Sequence, residues 1–136
     1  MKAPEVPVSW GELIDKITIL EIKRARVKSE IARANVSKEL MLLQAKVHPD
    51  VSRRADIHVL KTRLADVNEA LWEIEDLLRA KEMRIEFDSD FIELARSVYK
   101  RNDERSAIKR EINLLLDSDI LEEKNYQGCC PKDAGS

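Results

Sequence analysis

Seven aliphatic residues, Ile57, Leu60, Leu64, Val67, Leu71, Ile74 and Leu78, follow one another at alternating steps of three and four without a gap. A strand repeats every second residue. Only a helix gathers steps of three and four on one side, and a sustained run of them makes a seam that needs a partner helix. The predicted helix spans about Ser52–Arg84. At about 1.5 Å per residue it is roughly 45–50 Å long, too long for a compact domain of this size. The chain must therefore return along it as a hairpin, or meet a second copy.

The returning element follows "FDSDF" at 87–91. Asp88 as N-cap would set Phe87 against Ile92 as a staple, while Asp90 as N-cap would form a capping box with Glu93; the sequence allows both. The helix runs to about Leu116 on a stripe of Phe91, Leu94, Val98, Ile108, Ile112 and Leu115. Arg101 and Arg105 occupy the two missing beats.

Upstream, residues 1–8 form an extended lead-in containing Pro4 and Pro7. Ser9 with Glu12 makes a capping box, flanked by Val8 and Leu13 at staple positions. The first helix is predicted over about Trp10–Ala34, with Leu13, Ile17, Leu20, Val27 and Ile31 on one stripe and Arg24 on its midline. Ile19 and Ile22 lie well off that stripe, so its first half is apolar on two sides and requires cover on both. Ser37 is predicted to cap a short second helix, about Lys38–Val47, which "HPD" at 48–50 stops.

This describes an all-α protein: a helical bundle, or a long antiparallel hairpin with an N-terminal helix packed on it. The expected organisation is one helical domain over 9–123 and a flexible tail over 124–136. Composition agrees, with 43% apolar and 37% charged residues but only 3 Gly and 4 Pro. A net charge of −2 argues against a general nucleic-acid binder, and no apolar run is long enough to span a membrane. Cys129 and Cys130, adjacent in the tail, make no disulfide framework, and with no signal-peptide pattern the expected location is cytoplasmic. Residues 23–33 and 95–111 are basic blocks and 66–76 an acidic one, which would attract one another within or between chains.

Two groups of residues could carry chemistry. Asp66, Glu69, Glu73 and Asp76 fall on one helix face beside Trp72. At about 100° per residue the row lies about 160° from the seam, which points to a solvated or partner-facing surface. The pairs Glu73-x-x-Asp76 and Glu12-x-x-Asp15 are similar to the carboxylates that hold Mg²⁺ in all-helical nucleotide pyrophosphohydrolases, a weaker alternative. The second group is Arg24, Arg101 and Arg105 with Asn102, set where apolar residues are expected. Guanidinium forks suit carboxylates and phosphates, so convergence of these groups would make an anion site. The plainer reading pairs them with in-chain acids such as Asp15, Glu21, Asp103 or Glu104. Asp15 itself suits an early helical turn, and Lys16 supports the helix from i+4 of Glu12. No glycine-rich phosphate loop, HExxH, CxxC or Glu-x-x-His pair is present, so no metal or cofactor is expected.

The blocks "PVSWGELIDKITILEIKRARV", "VNEALWEIED" and "FIELARSVYKRNDERSAIKREIN" together resemble a family of small bacterial proteins classed as a domain of unknown function, over most of residues 7–126 and not over 129–136. The resemblance implies a link to surface-polysaccharide assembly and supplies no catalytic residues. The stretch "LIDKITILEIKRARVKSEIARAN" is similar in style to the first helix of helical chorismate mutases, which bind a dicarboxylate between helices. The expected function is a non-enzymatic protein that forms homo-oligomers or docks on a protein partner. Ile19, Ile22, Trp72 and the acidic row are its candidate contact surface. The alternative is a small enzyme or binding protein with an arginine-lined anion site.

Overall fold

The seam residues do build the longest helix, and the chain does return along it. This computed structural model describes residues 1–124. They form five helices: α1 (Trp10–Arg26), α2 (Glu30–Gln44), α3 (Pro49–Ser52), α4 (Ala55–Met83) and α5 (Ser89–Leu115). Among the described residues there is no strand, and the all-α class is as expected. The tail read at 124–136 lies outside the described residues, Lys124 excepted.

Two boundaries differ from the sequence expectation, and at a third the structure selects one of the two caps the sequence allowed. The first helix does not run to Ala34. It ends at Arg26, Val27 is extended (φ −67°, ψ 137°), and Ser29 caps α2 by accepting the Ala32 amide at 3.3 Å. Ser37 is therefore interior to α2 rather than its cap. The break has a packing reason. It folds α2 back so that Leu40, fully buried, meets Leu13, Ile17 and Leu20. Ile31, no longer on the α1 stripe, is 78% exposed. Second, "HPD" starts a helix as well as ending one: Pro49 opens α3, with His48 Nδ1 accepting the Asp50 amide. Third, Asp88 and not Asp90 caps α5, accepting the Phe91 amide at 2.9 Å. The staple expected with it does not form, because Phe87 packs edge-on against Phe91 (5.2 Å between centroids) and Ile92 stays exposed.

Helix α1 is central. It packs on α2, α4 and α5, whereas α2 among the helices packs on α1 alone. The two-sided cover required by its sequence is thus supplied within the chain. One side takes Leu40 of α2. On the other, Ile14 joins Ile57, Leu60, Leu64, Val67, Leu71, Ile108 and Ile112 in the main core.

That core stops partway along the α4–α5 hairpin. Leu71 is the last buried residue of α4 and Ile108 the first of α5; none of residues 72–107 is buried. The seam continues through Ile74, Leu78, Phe91, Leu94 and Val98, all only half-buried. Beyond Glu73, which pairs with Arg26 at the end of α1, the hairpin projects about 15 Å to the end of α4. At its turn Ile85 is held at φ 55°, a left-handed conformation strained for a β-branched residue.

Candidate functional site

The three helices α1, α4 and α5 meet around one carboxylate. Helix α1 can approach α5 closely because position 11 is glycine: a Cβ there would lie 2.5 Å from the Lys109 carbonyl oxygen. The Gly11 amide donates to Asn113 Oδ1 at 2.6 Å. The next residue, Glu12, pairs with Lys109, one turn before Asn113 on α5. Of the expected capping box only the forward half appears, with Ser9 Oγ accepting the Glu12 amide at 3.0 Å.

Asp15, the next residue on this face, is fully buried. Arg105 Nε donates to its Oδ1 at 2.9 Å and its Oδ2 at 3.1 Å, and Nη2 donates to Oδ2. Asn68 Nδ2 donates to Asp15 Oδ1 and Thr18 Oγ1, each at 2.9 Å, while the Thr18 hydroxyl donates to the Asp15 carbonyl at 2.7 Å. Among the described residues no buried side-chain polar atom lacks a partner. The hydrogen bonds that Arg105 donates to Asp15 push its guanidinium further up, against the effect of burial. The missing beat at 105 is therefore the place where the α5 stripe passes beneath the Asp15 carboxylate, the plainer of the two readings of that arginine.

The other predicted residues disperse. Arg24 is exposed on the last turn of α1, and Arg101 reaches Glu104 at 3.2 Å on its own helix. Of the arginine set only Arg105 enters the junction, with Asn102 beside it in the lining of two adjoining cavities. In the acidic row, Glu69 and Glu73 both take Arg26, whose guanidinium carbon lies 5.8 Å from the Trp72 ring centroid. The opposite-signed blocks thus attract within the chain at this point. Asp66 and Asp76 are exposed. Ile19, Ile22, Trp72 and Asp76 line one cavity of about 400 Å³ with Asn102 and Arg105. Ile22, expected on an outward contact surface, is 8% exposed because this wall of α1 faces the hairpin. The Glu12/Asp15 and Glu73/Asp76 pairs do not converge as ligands, since Glu12, Asp15 and Glu73 each face a cation. Among the described residues no group of three His, Cys, Asp or Glu side chains could hold a metal. Cys129 and Cys130 lie outside them.

Gly11, Thr18, Asn68 and Asn113 complete this junction and were not singled out by the sequence. Asn68 carries the one available signal, an amide directly beside a seam residue. The segment after α5 was also missed. Ser118 Oγ accepts the Trp10 amide at 3.3 Å, the Ser9 hydroxyl donates to Glu122, and Asn113 Nδ2 donates to Glu122 Oε2 at 3.1 Å. Residues 117–124 form a strap across the start of α1. Burial pushes the Glu122 carboxyl up, but the Ser9 hydroxyl, its own backbone amide, the Asn113 amide and the Lys109 ammonium outweigh it and hold the group below its usual range. A depressed folded pKa gives stability that is present above the unfolded value, about 4.3, and lost as pH falls through the folded value. The strap is expected to detach as pH falls below that range. Trp10 amide exchange should accelerate there, and Glu122→Gln should abolish the pH dependence.

No curated protein matches this chain, and no solved structure does. A family match does exist, and it runs through the final residues that the sequence blocks had left outside. It covers residues 4–136, and the chain belongs to that family, a family of unknown function designated DUF6165.

Proposed function

We propose that this protein is a non-enzymatic, self-associating helical scaffold, and that a second copy covers the projecting end of its α4–α5 hairpin. The observation that carries this is the unburied stretch 72–107 on a seam that keeps its apolar residues to the tip. Two helices alone cannot bury such a seam, whereas two hairpins side by side form a four-helix core. Leu77, Met83, Ile85, Phe87 and Ile92 are each more than half exposed around it. The strained Ile85 supports the same reading, because glycine would relax the turn but remove an apolar side chain at its apex. Charge favours a copy of the same chain as occupant. Asp76 on the α4 arm and Lys100 on the α5 arm are exposed and make no ion pair among the described residues, whereas Glu73, Glu75 and Arg96 pair within the chain with Arg26, Arg79 and Glu93. A two-fold axis that sets each arm against the opposite arm of the partner would bring these opposite charges together. The link to surface-polysaccharide assembly rests on the sequence resemblance alone. An anion site made by Arg24, Arg101 and Arg105 together has no comparable support.

Light scattering at tens of micromolar should give a dimer or larger, and Leu77→Glu should weaken association about tenfold or more, each tenfold being about 1.4 kcal/mol. As an exposed surface change it should move monomer stability by no more than about 0.5 kcal/mol. A monomeric wild-type protein at that concentration refutes the reading. Ile85→Gly separates the two roles of the tip. It should raise monomer stability by about 1 kcal/mol in chemical denaturation while weakening association.

A further inference from the structure

The cavity of about 400 Å³ between the second half of α1 and the hairpin holds a buried acceptor that the fold does not use. Asn68 lines it and is 6% exposed. Its Nδ2 is spent inward, on Asp15 Oδ1 and Thr18 Oγ1. The amide cannot be turned round. The Asp15 carboxylate only accepts, and the Thr18 hydroxyl already donates to the Asp15 carbonyl. Asn68 Oδ1 therefore faces away from them, and nothing among the described residues donates to it. No unpartnered side-chain polar atom there is fully buried, so Oδ1 opens on free space, and the cavity is the space that Asn68 lines.

Arg105 supplies the complementary donor. Its Nε and Nη2 hold Asp15, while Nη1 makes no hydrogen bond among the described residues. Asn68 Nδ2 and Arg105 Nε each lie 2.9 Å from the same Asp15 oxygen, so the two groups are neighbours. The buried carboxylate thus fixes an acceptor and a donor from behind. One turn away on α5, the half-buried Asn102 also lines the cavity, and its amide has no partner among the described residues. We propose that the cavity binds a small uncharged ring compound through an amide-like edge, an N–H beside a C=O, as in a lactam or a nucleobase. The N–H donates to Asn68 Oδ1 and the C=O accepts from Arg105 Nη1. Charge selects a neutral ligand, because Arg79 and Arg105 balance Glu75 and Asp76 around the cavity. Ile19, Ile22, Leu71 and Trp72 supply its apolar wall. Three aliphatic side chains beside one aromatic suit a flat ring better than a sugar, whose hydroxyls they would strip of water without replacing the bonds.

2-Pyridone, a flat lactam, titrated into the ¹⁵N-labelled full chain tests this. The expected result is saturable movement of the Asn68 and Asn102 side-chain amides and of the Trp72 indole N–H. N-methyl-2-pyridone keeps the ring and the carbonyl but has no N–H. Its dissociation constant should be about tenfold higher, since one hydrogen bond is lost and its buried acceptor is left unpaired. This comparison needs no variant, so it cannot fail through misfolding. Asn102→Ala makes no contact with the Asp15 cluster, should fold, and should raise the dissociation constant for 2-pyridone by a smaller factor. Absence of saturation with 2-pyridone, equal binding of the two lactams, or saturation by glucose in their place overturns the proposal. Leu77 does not line the cavity, so the Leu77→Glu variant should bind 2-pyridone unaltered, and this result is read separately from self-association.

Discussion

Asp15→Ala is expected to remove about 3–5 kcal/mol of unfolding free energy, the largest effect of any single substitution considered for this chain. The loss does not come from the value of the ion pair itself, since burying two charges consumes most of what their attraction returns. It comes from what remains. Arg105 would keep its charge in a half-buried junction with its carboxylate gone, and Asn68 would lose one of its two acceptors. A small domain has about 5–15 kcal/mol in total, so the variant should be partly unfolded in mild denaturant. Urea denaturation of the single variant gives the first number. Asp15→Leu combined with Arg105→Met gives the decisive one: removal of both charges should cost far less than the two single changes added together. A single-variant loss below about 1 kcal/mol, the size of an exposed pair, would mean that the carboxylate is not sequestered.

Gly11→Ala should also destabilise, by about 1–3 kcal/mol, against the direction that helix propensity gives. In an unconstrained helix interior, alanine gains about 1 kcal/mol over glycine. Here the new methyl would stand 2.5 Å from the Lys109 carbonyl oxygen and 3.0 Å from Asn113 Oδ1. The first of these is backbone in the middle of α5 and cannot rotate aside. The start of α1 must shift instead, which disturbs the Gly11–Asn113 bond and the strap contacts beside it. A fall in melting temperature of several degrees is the expected reading. A rise would show that the helices are not in close contact there.

The contrast between these positions shows what a sequence can disclose. Arg105 was visible because a cation interrupts an apolar stripe. Asp15 stood among the acids that could answer it, though nothing local distinguishes it from Glu21 or Asp103. Gly11 gave no signal, because its reason lies on a helix about a hundred residues away. The seam from Ile57 to Leu78 was legible in full, since its period is a property of one helix. The break after Arg26 was hidden for the opposite reason. Val27 and Ile31 continue the three-four spacing arithmetically, and "VKS" contains neither glycine nor proline. Ser29 and Ser37 are equally good caps on local grounds, and burial of Leu40 decides between them. The need of α1 for cover on two sides was correctly legible. Whether the cover comes from the same chain or another is a matter of topology that hydrophobic spacing does not carry.

The central position of α1 also orders events during synthesis. The α1–α2 unit is local, and its Leu40 contact can form as soon as its own residues are available. The other side of α1 has nothing to meet until much later: Asn68 is made 53 residues after Asp15, Arg105 comes 90 residues after it, and Glu122 follows Ser9 by 113. Until then a nascent two-helix unit presents Ile14 and Ile22 to water beside an unanswered carboxylate. The native state is then closed by the last helix and strap gripping the first helix, so the long-range contacts that make folding slow are the same ones that fix the polar junction.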